Sequence, residues 1–279
     1  MAKLEYTFTN DTLFKMLFVR HPDLLKRLVA VLLAIDIDSI GQFAIVNPEM
    51  PPEMLGEKFC RLDINMTVNG QRVDLEIQVA DEGDYPERSL YYWAREYSAA
   101  LGEGCGYSGI PRTIIISIVA FRLFECAEFH SEFQPLEVIR RVPLTDKMCL
   151  HYYELPKLPD VVEAADEQKL WLKLFKAETE EELRQIEDME VPVMEQAINA
   201  YRSVSAAGEF RELERLRSMA RHNEASALGH ARREAEEAER EKWQGVVTDL
   251  RGTLANKDAA LAEKEALIAE LRARLGEAP

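Results

Sequence analysis

Apolar residues recur at helical spacing near the start of the chain. Leu13, Phe14, Leu17 and Phe18 follow Thr9 and Asn10, either of which can cap a helix. The segment HPD at 21–23 interrupts the pattern, and Pro22 suits the first turn of a second helix running to about Ala34. QFAIV at 42–46 reads as a short strand, and a Pro-rich loop follows it. Apolar and polar residues then alternate strictly on either side of Asn69-Gly70, the preferred centre of a type I′ turn, which predicts a hairpin with strands at 58–68 and 71–80. Residues 85–101 read as an amphipathic helix, with Pro86 near its start and Gly102 near its end. RTIIISIVAF at 112–121 has the composition of a strand buried on both faces. A further strand is expected around 136–142, and LHYYELPKL closes this part at 150–158.

From about residue 160 glycine becomes scarce and Glu, Ala, Leu, Lys and Arg dominate. The pattern predicts packed helices over 161–206 and long helix over 209–275. Leu250, Leu254, Lys257, Leu261, Lys264, Ile268, Leu271 and Leu275 alternate steps of four and three, a heptad seam with two lysines in it. The expected organisation is therefore 1–160, a helical extension at 161–208, and a coiled coil at 209–279 that makes the protein a homo-oligomer of modest stability.

Composition narrows the function classes. A hydrophobic content of 47% supports a sizeable core, and a formal net charge of −16 means that any nucleic-acid contact must come from a local basic patch. Cys60, Cys105, Cys126 and Cys149 are far apart and form no CxxC pair, which argues against a zinc ribbon or a disulfide scaffold and for reduced thiols in a cytoplasmic protein. The start of the chain lacks the apolar core of a signal peptide, and no apolar run is long enough for a membrane span. There is no phosphate-cradling loop motif and no His/Cys cluster at zinc-type spacing.

The hairpin carries the chemistry. With Asn69 and Gly70 as the turn, Val68 faces Gln71, Asn65 faces Asp74, Asp63 faces Glu76 and Arg61 faces Gln78. One face then holds Cys60, Leu62, Ile64, Met66, Val68, Val73, Leu75, Ile77 and Val79, which pins the register. The other holds Asp63, Asp74, Glu76 and Gln78 among polar neighbours. Opposed carboxylates at a cross-strand spacing of about 4.5–5.5 Å destabilise the pair. A hard divalent cation such as Mg²⁺, held by one or two carboxylates with room left for phosphate, removes that conflict. An ordinary solvent-facing polar surface, diluted by Arg61 and Arg72, is the simpler alternative.

The pieces FTNDTLFKMLF, LDI, LEIQ, RSLYYWAREYSAAL, IPRTIIISIVAF and LHYYELPKL, in that order over roughly residues 5–160, resemble the recombination-promoting nuclease and transposase family, a branch of the PD-(D/E)XK nuclease superfamily. The resemblance implies an α/β restriction-endonuclease-like core of αβββαβ order, a mixed sheet flanked by helices. It agrees with the elements read from the pattern. It implies a metal-dependent DNA endonuclease that hydrolyses phosphodiester bonds, with Mg²⁺ (or Mn²⁺) held by Asp63 and Glu76, and a role in recombination or mobile elements. Gln78 falls where the superfamily carries a lysine. It cannot act as a base, but it can hold a water or a phosphate oxygen by hydrogen bonds.

Asp11 matches the family's helix segment and is either a further metal ligand or a first-turn aspartate at a helix N-terminus. Lys15, one turn on, is either a phosphate contact or a lone surface lysine. Arg88 and Arg95 share a helical face with Tyr92 and suit DNA phosphates, unless they pair with neighbours such as Glu96. Asp74 is a possible second-metal ligand. Tyr91, Trp93, Tyr97 and Tyr107 read as core or interface aromatics, and His151 as a structural histidine. The competing function is a catalytically inactive nuclease-fold scaffold that oligomerises through its coiled coil, suggested by the acidic charge, the glutamine at position 78 and the long tail.

Overall fold

The computed structural model describes residues 2–46, 64–101 and 106–276. Two compact units are present, Met1–Arg217 and Ser218–Pro279.

The first unit is built on a six-stranded mixed sheet of order β1-β2-β3-β4-β6-β5. Its strands are β1 (Phe43–Ile45), β2 (Ile64–Val68), β3 (Gln71–Gln78), β4 (Thr113–Val119), β5 (His130–Phe133) and β6 (Met148–Glu154). β1, β2 and β3 pair antiparallel, β3, β4 and β6 pair parallel, and β5 closes the edge antiparallel to β6. The β2–β3 register is the one expected: Val68 opposite Gln71, Asn65 opposite Asp74 and Ile64 opposite Leu75. Asn69 and Gly70 both take positive φ, 48° and 79°, as a type I′ turn requires.

Two faces of the sheet bury different cores. Ile64, Met66, Val68, Val73 and Leu75, with Ile114, Ile116, Ile118 and Tyr153, pack into the main core. The helices α1 (Asp11–Arg20), α2 (Pro22–Leu32), α4 (Glu167–Lys176), α5 (Glu180–Glu187) and α6 (Pro192–Ala206) contribute buried side chains to it. Phe14, Phe18, Trp171 and Phe175 form one aromatic cluster there, with ring centroids 5.0–6.3 Å apart. The opposite face is covered by α3 (Tyr85–Ala99), whose Tyr85 joins Ile115, Val119, Leu150 and Tyr152 in a second, smaller core. β4 is buried at every residue because helices cover it on both sides.

Three expectations need correction. No strand forms over 136–142; a single bridge, Leu136 to Pro143, links the two sides of an exposed arm, and the strand is instead the more polar segment His130–Phe133. Of the aromatics expected in the core or at an interface, Tyr91 and Tyr107 are exposed and so do not belong to the core, whereas Trp93 and Tyr97 are half-buried and stacked at 4.8 Å. Lys15 is not a surface lysine: α1 is buried over Thr12–Phe18, and Lys15 is only 4% exposed.

The helix α7 (Gly208–Leu275) begins inside the first unit, where Phe210 is buried and Glu214 accepts a 2.7 Å hydrogen bond from Thr12. In the second unit the seam residues Leu250, Leu254, Leu261, Ile268 and Leu271 are all exposed. Among the described residues no helix is long and apolar enough to cross a membrane.

Candidate active site

Strand alternation sends Arg72, Asp74, Glu76 and Gln78 to the face under α3, and parallel pairing aligns their neighbours. Glu76 lies beside Ser117 of β4, which lies beside Tyr152 of β6, so one row of the sheet carries a carboxylate and two hydroxyls. α3 closes over that row. Tyr85 donates its phenol hydrogen to Glu76 Oε2 at 3.1 Å, and Ser89 hydrogen-bonds Tyr152 through the two hydroxyls. The Ser117 hydroxyl is buried and makes no hydrogen bond among the described residues.

This face is therefore no ordinary solvated surface. Asp74 is 6% and Glu76 4% exposed, two carboxylates two residues apart on one strand. Burying such groups is costly unless hydrogen bonds, cations or protonation compensate. Burial raises the Tyr152 hydroxyl above the usual phenol range, the Ser89 hydrogen bond works against it, and the charges of Glu76 and Glu87 add to the rise. Tyr152 thus keeps its hydroxyl proton, one strand beyond Ser117 in the same row.

Gln78 ends β3, half-buried, and its carboxamide donates to the Ala80 carbonyl at 2.8 Å. Asp63, the partner expected opposite Glu76, lies outside the described residues. Asp11 is the first residue of α1, half-buried, beside the cap Asn10, whose side chain accepts from the Leu13 amide at 3.0 Å. Arg88 pairs with Glu82 at 2.7 Å, and its guanidinium lies 5.0 Å from the Tyr85 ring centroid. Arg95 is exposed, 3.7 Å from Glu96. Arg72 also reaches Glu96, at 3.3 Å, and so ties β3 to the C-terminal part of α3.

Among the described residues the groups on this face that could ligate a metal are oxygen donors: Glu76 and Asp74 supply carboxylates, and Tyr85, Ser117 and Tyr152 supply hydroxyls. That chemistry suits Mg²⁺ or Mn²⁺ and not a soft metal. Tyr85, Ser89, Ser117 and Tyr152 were not found from the sequence. The signal for Ser117 was present, as the one polar residue inside the apolar run IIISIV at 114–119.

At the same end of the parallel strands, Glu154 and Lys157 form a fully buried ion pair at 2.5 Å. Glu154 also accepts from the Leu123 amide at 2.6 Å, and Lys157 donates to the Phe124 carbonyl at 2.8 Å. The pair pins the loop that follows β4.

A family model described as PD-(D/E)XK nuclease family transposase matches residues 8–231. No similar curated protein and no similar solved structure was found.

Proposed function

Because the chain belongs to the PD-(D/E)XK nuclease family transposases, we propose that it is a divalent-metal-dependent DNA endonuclease that hydrolyses phosphodiester bonds, acts in recombination or mobile-element movement, and assembles through its C-terminal seam. The observation that carries this reading is Glu76: a buried carboxylate, which the resemblance makes a metal ligand, on a face of matching oxygen donors. Asp63 and Glu76 would hold Mg²⁺ or Mn²⁺, with Asp11 as a further ligand. When bound, the ion supplies charge neutralisation at the scissile phosphate and a more acidic attacking water.

The chain's own groups do the rest. Tyr85 fixes the Glu76 carboxylate by its hydrogen bond. Gln78, released from the Ala80 carbonyl, orients a water or a phosphate oxygen through its carboxamide. Arg88 exchanges Glu82 for a backbone phosphate, and the exposed Arg95 lies about two turns along the same helical face for a second one. Lys15 of α1, only 4% exposed, is a third candidate phosphate contact.

Plasmid nicking in Mg²⁺ tests the reading. Asp63→Ala and Glu76→Ala should each lose on the order of a hundredfold or more in rate, as expected for groups that stabilise transition-state charge. Equal activity in all three proteins rejects it. One observation favours the alternative, a nuclease-fold scaffold without catalysis: the Gln78 carboxamide is already engaged with Ala80. Absence of both calorimetric Mn²⁺ binding and DNA affinity at low salt would select that reading.

A further inference from the structure

On the main-core face, at the β5–β6 edge, alternation and pairing bring together residues that are distant in sequence. Cys149 and His151 are two apart on β6 and share a face, and Glu132 of β5 is the direct ladder partner of His151. Glu132, Cys149 and His151 each present a ligand atom, all within 4.8 Å of one another. The Cys149 sulfur is 3.3 Å from Glu132 Oε1 and 3.1 Å from His151 Nε2. His151 Nδ1 lies 3.1 Å from His130 Nε2, and the two rings are within 6° of parallel.

We propose that Glu132, Cys149 and His151 form a zinc site, separate in place and chemistry from the acidic face around Glu76. Sulfur, nitrogen and one carboxylate oxygen are the donors that borderline-soft Zn²⁺ takes, whereas Mg²⁺ takes oxygen. Sulfur at about 2.3 Å and nitrogen at about 2.1 Å from a tetrahedral ion are about 3.6 Å apart, so Cys149 and His151 need open by only about half an ångström. The thiol proton leaves to solvent as the cation enters.

The surroundings fit as well. His130 orients the imidazole from behind, the usual role of an outer hydrogen-bond partner to a ligating histidine. Cys149 and His151 are buried, whereas Glu132 is exposed, which leaves an entry path and a fourth position for water. The ion would cross-link a four-residue edge strand to the strand beside it. A spacing of C-x-H with a cross-strand glutamate has none of the sequence periodicity of a zinc ribbon, so the linear pattern does not show it.

The test uses tag-free, full-length protein, stripped with chelator and titrated with Co²⁺ and then Zn²⁺. One equivalent of Co²⁺ should bind, with a thiolate-to-metal charge-transfer band and intense tetrahedral visible bands, and Zn²⁺ should displace it. Cys149→Ser should abolish the charge-transfer band, while Cys126→Ser and Glu76→Gln should retain it. Glu132→Gln and His130→Ala should weaken Zn²⁺ binding by roughly ten- to a hundredfold. No band, or a band that survives Cys149→Ser, overturns the proposal and leaves a hydrogen-bonded polar cluster only. Should Cys149→Ser fail to fold, X-ray absorption on the zinc-loaded wild type decides: one sulfur in the shell supports the site, and none rejects it.

Discussion

At the scale of single residues, the candidate site depends on one hydroxyl contact that can be removed without disturbing packing. Tyr85→Phe keeps the ring in the second core and deletes only the hydrogen bond to Glu76. Stability should change by about 1 kcal/mol, whereas plasmid nicking should fall by roughly tenfold or more because the carboxylate loses its outer partner. Denaturant melts and nicking rates on the same preparation separate the two effects, and an unchanged nicking rate would show that the Tyr85 hydrogen bond to Glu76 plays no part in cleavage. The buried pair Glu154–Lys157 behaves in the opposite way, since its role is structural. Lys157→Met strands a fully buried carboxylate and should cost about 3–5 kcal/mol. Glu154→Gln combined with Lys157→Met removes both charges and should recover much of that loss. If the double variant is as unstable as the single one, the pair is not the source of the effect.

Elements are where the sequence was most and least informative. The hairpin register was legible because one face is apolar throughout and because Asn69-Gly70 has one preferred turn geometry. The burial of its polar face was not legible, because that depends on α3 folding back over the sheet from residues further along the chain. His130–Phe133 was passed over since a short edge strand pairs on one side only and carries polar side chains, and the apolar run after it was mistaken for the strand. The Glu132–Cys149–His151 grouping was hidden for the same reason, as it exists only once β5 is placed on β6. Asn69 also does more than turn the chain. Its side-chain oxygen accepts from the amides of Gly41 and Gln42, and its nitrogen donates to the Ser39 carbonyl, all at 2.9–3.0 Å. Asn69→Ala should therefore cost about 2 kcal/mol or more, whereas Gly70→Ala, with open space at the new methyl group, should cost only about 1 kcal/mol of backbone conformation. Equal shifts in denaturant midpoint would refute the anchoring role. The helical layer has its own titratable lock, since Tyr201 of α6 donates to the Tyr6 carbonyl at 2.6 Å. Burial, then the Glu180 charge, pushes its phenol up to about 12. A raised folded value means that the unfolded chain loses the proton first. The contribution is complete below about pH 10 and is lost as pH rises towards 12, by about 2–3 kcal/mol. Tyr201→Phe should flatten that alkaline loss relative to wild type in melts taken across this range.

At the scale of the whole molecule, the second unit raises a question that no single chain answers. Leu250, Leu254, Leu261, Ile268 and Leu271 expose an apolar seam along a helix rich in charged residues, which also exposes Trp243, Val246, Val247 and Leu267, and such a stripe is stable in water when another helix covers it. A second copy of the chain offers the identical stripe, and two subunits would bring two cleavage centres to one DNA duplex. Two features oppose that assembly. Lys257 and Lys264 interrupt the seam, and a net charge of −16 per chain makes copies repel. Association should therefore be of moderate strength and should tighten as salt screens the repulsion. Sedimentation equilibrium can read both terms separately. Leu254→Lys with Leu261→Lys should leave a monomer at every salt concentration, while Lys257→Leu with Lys264→Leu should lower the dissociation constant by tenfold or more, as expected for replacing buried charge with apolar contact. Because these substitutions lie far along the sequence from Asp63 and Glu76, single-strand nicking by the monomeric variant should persist, and paired double-strand cleavage should fall. A monomeric variant that still cuts both strands at the wild-type ratio would separate the seam from the chemistry altogether.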